Sequence, residues 1–200
     1  MISFLDDPEP TALAEELFDD DVADVGFVMN VSRLWAYQPA TFTGLFDLAG
    51  RAATAAELTF RERGILVTAC ASTLGDSYCS LSWGAKLAAA ADADTAASVL
   101  RGEDHGLAPA ERAMAHWARQ VARDPNGTTP ADVQTLRDAG YSDARIFAIT
   151  VFVALRMALS IANDALGARP DAALRSKAPA AVVDAVTYGR SIEDVEGEHR

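Results

Sequence analysis

Apolar residues recur three and four positions apart along nearly the whole chain, the spacing of helices that bury one face. The clearest stretch is Leu58 to Ala90, where Leu58, Ile65, Leu66, Ala69 and Thr73 fall on one helical side. Leu74-Gly75 then predicts a stop, because glycine is the usual residue just past a helix end. Asp76 predicts a new start, its carboxylate placed to accept from the backbone N–H groups of Ser77-Tyr78-Cys79. Around this pair the pattern predicts a short acidic helix over Pro8–Asp20 and helices over Val25–Trp35 and Thr41–Thr54, broken at Gln38-Pro39. Further helices are expected over Thr95–Leu100, Pro109–Arg123, Thr129–Gly140 and from Ser142 to about Leu166, with a last one over Val182–Tyr188. Proline near a first turn and Thr129 with Asp132 three residues on are start signals. No segment alternates as a strand does, so the expected fold class is all-α, a single-domain helical bundle.

One run, Ile146 to Ala162, is almost wholly apolar and is interrupted by Arg156. It is shorter than the ~20 residues that span a bilayer. A helix buried on most sides of a bundle is expected instead. The ends read differently: residues 1–7 as a frayed start, and Ser191–Arg200 as a charged, mobile tail.

Composition narrows the function. Two hundred residues suit one domain with a proper core. The net charge of −12 argues against nucleic acid or an anionic membrane as partner, since both need clustered Lys and Arg. Two cysteines, Cys70 and Cys79, make no disulfide framework. Acidic residues follow Met1-Ile-Ser-Phe-Leu at once, unlike a secretory signal, and a cytoplasmic protein is expected. Three scattered histidines lack metal-ligand spacing and no glycine-rich loop is placed to cradle phosphate, so neither metal nor cofactor is expected.

The candidate chemistry centres on Cys79. A thiol in the first turn of a helix sits under the positive end of the helix dipole, which lowers its pKa and favours the reactive thiolate. The adjacent Asp76 opposes this by adding negative charge. Asp76, Cys79 and Trp83 stand three and four residues apart, along one helix edge. Asp76 reads either as a helix cap or as an acid–base group. Trp83 reads either as a core or interface aromatic or as a pocket wall. Cys70 is either a small core residue or a partner for Cys79. His116 is read as a buried, hydrogen-bonded histidine or a catalytic base. Arg156 reads as half of an ion pair with Asp164, Glu62 or a neighbouring subunit, or as an anion anchor.

These residues also carry a resemblance. Arg61-Glu62-Arg63-Gly64-Ile65 leading into Asp76-Ser77-Tyr78-Cys79, with Trp83 four residues on, resembles the carboxymuconolactone decarboxylase superfamily, in its alkyl hydroperoxidase D-like, peroxidase-related branch. There a helix of the Arg-Glu-Arg-Glu-Leu type precedes Cys-x-Tyr-Cys-x-x-x-His. The likeness continues through Leu107–Arg112, Arg123–Pro125, Thr129–Asp132, Ala139–Ser142 and Ala165–Gly167, and covers roughly residues 25–172. It implies an extension over 1–24 and a C-terminal helix and tail over 173–200. In that branch the second cysteine attacks peroxide, the first resolves it, and the His and a helix Glu relay protons. Carried onto this chain, only the attacking cysteine is kept, as Cys79. Asp76 replaces the resolving cysteine, Trp83 the histidine and Gly64 the glutamate.

The resemblance therefore implies a divergent peroxidase-related protein, an antioxidant oxidoreductase working with one cysteine, with Cys79 and Asp76 as catalytic candidates. Trp83, Tyr78, Glu62, His116 and Arg156 are the pocket candidates. Alternatives are a catalytically degenerate small-molecule-binding or structural protein of the same fold, and a lactone decarboxylase-like enzyme. The family further implies a homo-oligomer: a dimer, trimer or hexamer.

Overall fold

Local start and stop signals account for most of the helix boundaries. The computed structural model describes residues 2–9 and 11–194 and contains no strand among them. Its helices are α1 (Ala12–Val25), α2 (Asn30–Trp35), α3 (Pro39–Ala55), α4 (Phe60–Leu74), α5 (Ser77–Ala90) and α6 (Ala93–Arg101). There follow α7 (Pro109–Arg123), α8 (Pro130–Asp138), α9 (Asp143–Ala165), α10 (Leu174–Lys177) and α11 (Ala180–Ala185). Thr11, Thr59, Asp76, Asp92, Thr129 and Ser142 each accept a backbone N–H in the first turn that follows them. Such a cap satisfies a donor that the helix itself cannot.

The middle of the bundle is α4. Every residue from Gly64 to Ala71 on it is buried, and it packs against α5, α6, α7 and α9. Gly75 closes it at φ +78°, a left-handed conformation open to glycine without strain. The chain then reverses into α5 within two residues. Gly64 is buried where α4 and α5 approach: a Cβ there would lie 3.2 Å from Leu87 Cβ and Cδ1. Close approach of the two helices is thus built on the position that carries glutamate in the resembled motif. The paired Leu-x-x-x-Glu-Arg starts of α4 and α7 also meet. Arg61 Nε lies 2.6 Å from Glu111 Oε1, and Glu111 accepts the Ala108 N–H.

Several sequence expectations are corrected. The first helix begins at Ala12, not Pro8, and the one expected from Val25 begins at Asn30, because Gly26 ends α1 at φ +87°. Residues 2–5 are not a frayed start. Phe4 N–H donates to Leu166 O and Arg169 N–H to Ile2 O, which fastens the N-terminus to the end of α9. The last helix stops at Ala185. Residues 191–194 are not loose either: Glu193 N–H donates to Pro170 O, and Arg169 donates to Ile192 O. The remainder of the expected mobile tail, with His199, lies outside the described residues.

Because Gly64 leaves no room, Gly64→Leu should lower stability by about 1–3 kcal/mol, the usual cost of overpacking a dense core. Chemical unfolding would show this as a lower denaturant midpoint at unchanged slope, and an unshifted midpoint would remove the packing explanation.

Candidate functional site

Cys79 is 4% exposed in the first turn of α5. Asp76 Oδ1 accepts the Cys79 N–H at 2.9 Å, so the cap reading is observed. Asp76 is fully buried, and its Oδ2 has no hydrogen-bond partner among the described atoms. Opposite, Arg156 comes up from α9 and points Nη2 at Cys79 Sγ, 3.7 Å away. Ser160, one turn further along α9, is also buried and favours the thiolate of the same residue.

Arg156 is 5% exposed and forms no ion pair among the described residues. Neither Asp164 nor Glu62, the two partners expected for it within the chain, is observed in that role. Its guanidinium is held instead between two aromatic faces, with ring centres 5.5 Å away at Phe46 and 5.4 Å away at Trp83. Cation–π contact of this kind offsets part of the cost of removing the charge from water. Phe60 continues the aromatic wall, 6.1 Å from Trp83, and Lys86 covers Trp83 from another side at 4.9 Å. Phe46 also lines a surface hollow of about 680 Å³ with Asp47, Gly50, Arg51, Thr54 and Ala55. It is the residue shared between that hollow and the guanidinium.

Electrostatics reverse the expectation from the helix dipole. The Cys79 thiol is pushed far above its ordinary range, first by burial and then by the Asp76 charge; Arg156 and Ser160 pull it back only in part. Cys70, in the middle of α4, is pushed up to about 12, mainly by burial. Both cysteines are free thiols.

Residues 186–194 form a strap over the α4–α5 turn, and sequence reasoning missed it. Tyr188 Oη donates to Ser80 Oγ at 3.0 Å, Ser77 Oγ donates to Arg190 O at 2.7 Å, and Arg190 Nη2 donates to Asp164 O at 2.9 Å. The Asp164 carboxyl is raised to about 7, through desolvation first and the Asp76 charge second, while the Arg190 charge of the strap pulls it back in part. No motif marks Tyr188 or Arg190. Ser160 could have been found from its spacing of four from Arg156 on one helix.

The other candidates lie apart. Tyr78 turns away from Cys79 and donates to the buried Asp171, in a second cluster with Val31, Phe42 and Leu159. Glu62 accepts the Thr59 N–H as the return half of a capping box and lies 3.9 Å from Arg145. His116 is exposed on α7, which corrects the expectation of a buried histidine: Met114, Ala115, Trp117 and Ala118 take the inward positions. Among the described residues, no group of His, Cys, Asp and Glu is arranged to hold a metal.

No family model and no curated protein matches the chain. Solved structures do share its fold. One is an uncharacterized peroxidase-related protein from Ralstonia eutropha JMP134, an alkylhydroperoxidase AhpD core, with 24% identity and a TM-score of 0.73 over 87% of this chain and 95% of that one. A peroxidase-related protein from Silicibacter sp. TM1040 gives 20% identity and a TM-score of 0.76 over 86% and 94%. The debrominase Bmp8 gives 16% identity and a TM-score of 0.70 over 93% and 97%. A cysteine-to-alanine variant of Bmp8 is solved in complex with 2,3,4-tribromopyrrole. The chain has the alkyl hydroperoxidase D-like fold of these proteins.

Two outcomes follow from the charges at the site. Asp76→Asn keeps a capping oxygen and removes the charge that disfavours the thiolate, so iodoacetamide should modify Cys79 faster at a fixed pH near 8; an equal or slower rate would contradict the charge argument. Asp164 binds its proton more tightly folded than unfolded, so its contribution to stability is present below about pH 4 and lost as pH rises through about 7. Melting temperatures from pH 4 to 8 should therefore fall more steeply for the native chain than for Asp164→Asn, and parallel curves would contradict the raised carboxyl.

Proposed function

We propose that this protein is a one-cysteine thiol oxidoreductase that reduces a small peroxide at Cys79. The observation that carries the reading is Arg156: a buried guanidinium without a carboxylate partner in contact, aimed at a thiol. Burying such a charge is costly unless an anion offsets it. The anions available at that position are the thiolate and the sulfenate of Cys79. The fold shared with peroxidase-related proteins agrees with this chemistry.

At rest the thiol is protonated and sealed. A substrate coming from the hollow beside α3 displaces Phe46 and reaches the sulfur. Cys79 attacks the terminal peroxide oxygen, the O–O bond breaks and an S–O bond forms. The thiol proton passes to Asp76 and from there to the departing alkoxide, giving Cys–SOH and an alcohol. Sulfur is oxidised and peroxide reduced. An external low-molecular-weight thiol then condenses with the sulfenic acid, releasing water and leaving a mixed disulfide; a second such thiol restores Cys79.

A second reading is favoured by the aromatic wall of Phe46, Trp83 and Phe60, which suits a flat ring, and by the debrominase fold neighbour. In it the Cys79 sulfur takes the halogen from a halogenated aromatic ring while the ring carbon gains a proton. An external thiol then displaces halide as a disulfide forms.

Peroxide consumption with excess thiol, together with dimedone trapping and mass analysis, tests the first reading. A dimedone adduct at Cys79 is expected, lost in Cys79→Ser. Arg156→Met should lower kcat at least about 10-fold, the scale of a lost charge-assisted contact. Halide release from a brominated pyrrole with no peroxide turnover would replace the first reading by the second. If neither substrate is turned over and no adduct forms, the protein is a non-catalytic binding or structural member of the fold.

A further inference from the structure

Cys79, Trp83 and Lys86 follow one another along α5 at steps of four and three. At about 100° per residue they keep within about 60° of one another, so they form a line down one edge of the helix. Exposure rises along that line: Cys79 is buried, Trp83 half-buried and Lys86 exposed. Lys86 stands about 10 Å from Cys79 along the helix axis, at ~1.5 Å per residue. The line therefore runs from the sulfur out to solvent. Phe60, 55% exposed at the start of α4, stands beside Trp83 and carries the aromatic wall to the surface.

The charges on this line lack counter-ions. Lys86 Nζ lies 4.9 Å from the centre of the Trp83 ring and Arg156 Cζ lies 5.4 Å from it. Neither cation forms an ion pair among the described residues. The Lys86 ammonium is lowered from its ordinary range by burial first and by the Arg156 charge second, and the Asp24 charge offsets this only in part. A ring face offsets some of the cost of a cation. Two cations sharing one indole still repel, and an anion between them removes that repulsion. A chain of net charge −12 repels anions in general, so this spot is a local exception to its field. Arg156 is already aimed at the sulfur; Lys86 has no such partner.

We propose that the substrate of the Cys79 site is an aromatic ring bearing a carboxylate, and that Lys86 is the residue that selects it. The carboxylate pairs with the Lys86 ammonium, the ring lies against Trp83 and Phe60, and the reacting end reaches Cys79 and Arg156. This rests on the reading of Cys79 as the reacting thiol. The separation of about 10 Å suits a ring with its acid at one end and its reacting group at the other, whereas hydrogen peroxide or a short alkyl peroxide reaches only the sulfur. A neutral ring gains the aromatic contact alone. The acid adds a charge-assisted contact, which is the stronger of the two and fixes which end of the ring points inward.

Titration of the full chain at neutral pH with naphthoate and with naphthamide, the same ring with and without the charge, tests the site without any turnover. The Trp83 indole N–H, assigned by its loss in Trp83→Phe, reports the contact by NMR. Naphthoate is expected to shift that signal and to bind at least about 10-fold tighter than naphthamide, the scale of a charge-assisted contact. Lys86→Gln should remove the preference, and Lys86→Arg, which keeps the charge, should retain it. Added salt should weaken naphthoate more than naphthamide. Equal affinities in the native protein, a preference that survives Lys86→Gln, or shifts confined to the indoles of Trp35 and Trp117 would overturn the proposal. Because binding is read apart from peroxide consumption, the two readings fail separately. A naphthoate preference in a protein that consumes no peroxide would uphold the acid-selecting site and overturn the peroxide reading, whereas peroxide consumption without the preference would overturn this proposal alone.

Discussion

A buried guanidinium held against a thiol, with a buried carboxylate on the other side of that thiol, is the constraint on which this structure turns. Neither charge is solvated and the two are not in direct ion contact, so every neighbouring element contributes to their cost. The tight α4–α5 turn supplies Asp76 and lets its first oxygen cap α5. Helix α9 supplies Arg156 and Ser160, while α3 and α5 supply the rings that bracket the guanidinium. The C-terminal strap covers the turn and holds Tyr188 and Arg190 in place. Loosening any one of these lets water reach a charge that the others hold dry.

This arrangement changes how a cysteine at a helix N-terminus is understood. The dipole favours the thiolate, yet it acts over about one turn and is worth roughly 1 kcal/mol. Complete burial beside a carboxylate outweighs it, which is why the thiol lies above its ordinary range despite its position. The replaced residues fit together in the same way. Trp83 stands where a proton relay stands in the resembled motif, and it gives Arg156 a π face. Gly64 replaces a relay acid and lets α4 and α5 close tightly.

Helices were legible in the sequence because their signals are local. Thr59 with Glu62, Asp76, Thr129 with Asp132, and Gly75 mark boundaries with short-range chemistry that tertiary packing had no reason to override. Cys79 and Asp76 were legible as neighbours for the same reason. Arg156 was conspicuous, but its partner was not, since the contact spans 77 positions of sequence and the expected partners were carboxylates rather than a sulfur and two rings. His116 was misplaced because an adjacent apolar pair, Met114-Ala115, says little about which side of α7 the next residue takes. Tyr188 and Arg190 lie in a segment without helical periodicity, and irregular chain carries no pattern that predicts what it covers. The outer side of α9 was legible as hydrophobicity alone; only the exposure of Phe147 and Ile161 separates it from core.

The most direct test of the central claim is the titration of Cys79 itself, followed through the carbon-13 shift of its β-carbon by NMR in native protein and in Arg156→Met. The account predicts a thiol that remains protonated through neutral pH and titrates well above a free cysteine, with the midpoint moving higher still when the guanidinium is removed. A thiolate at pH 7, or a midpoint unmoved in Arg156→Met, would contradict it.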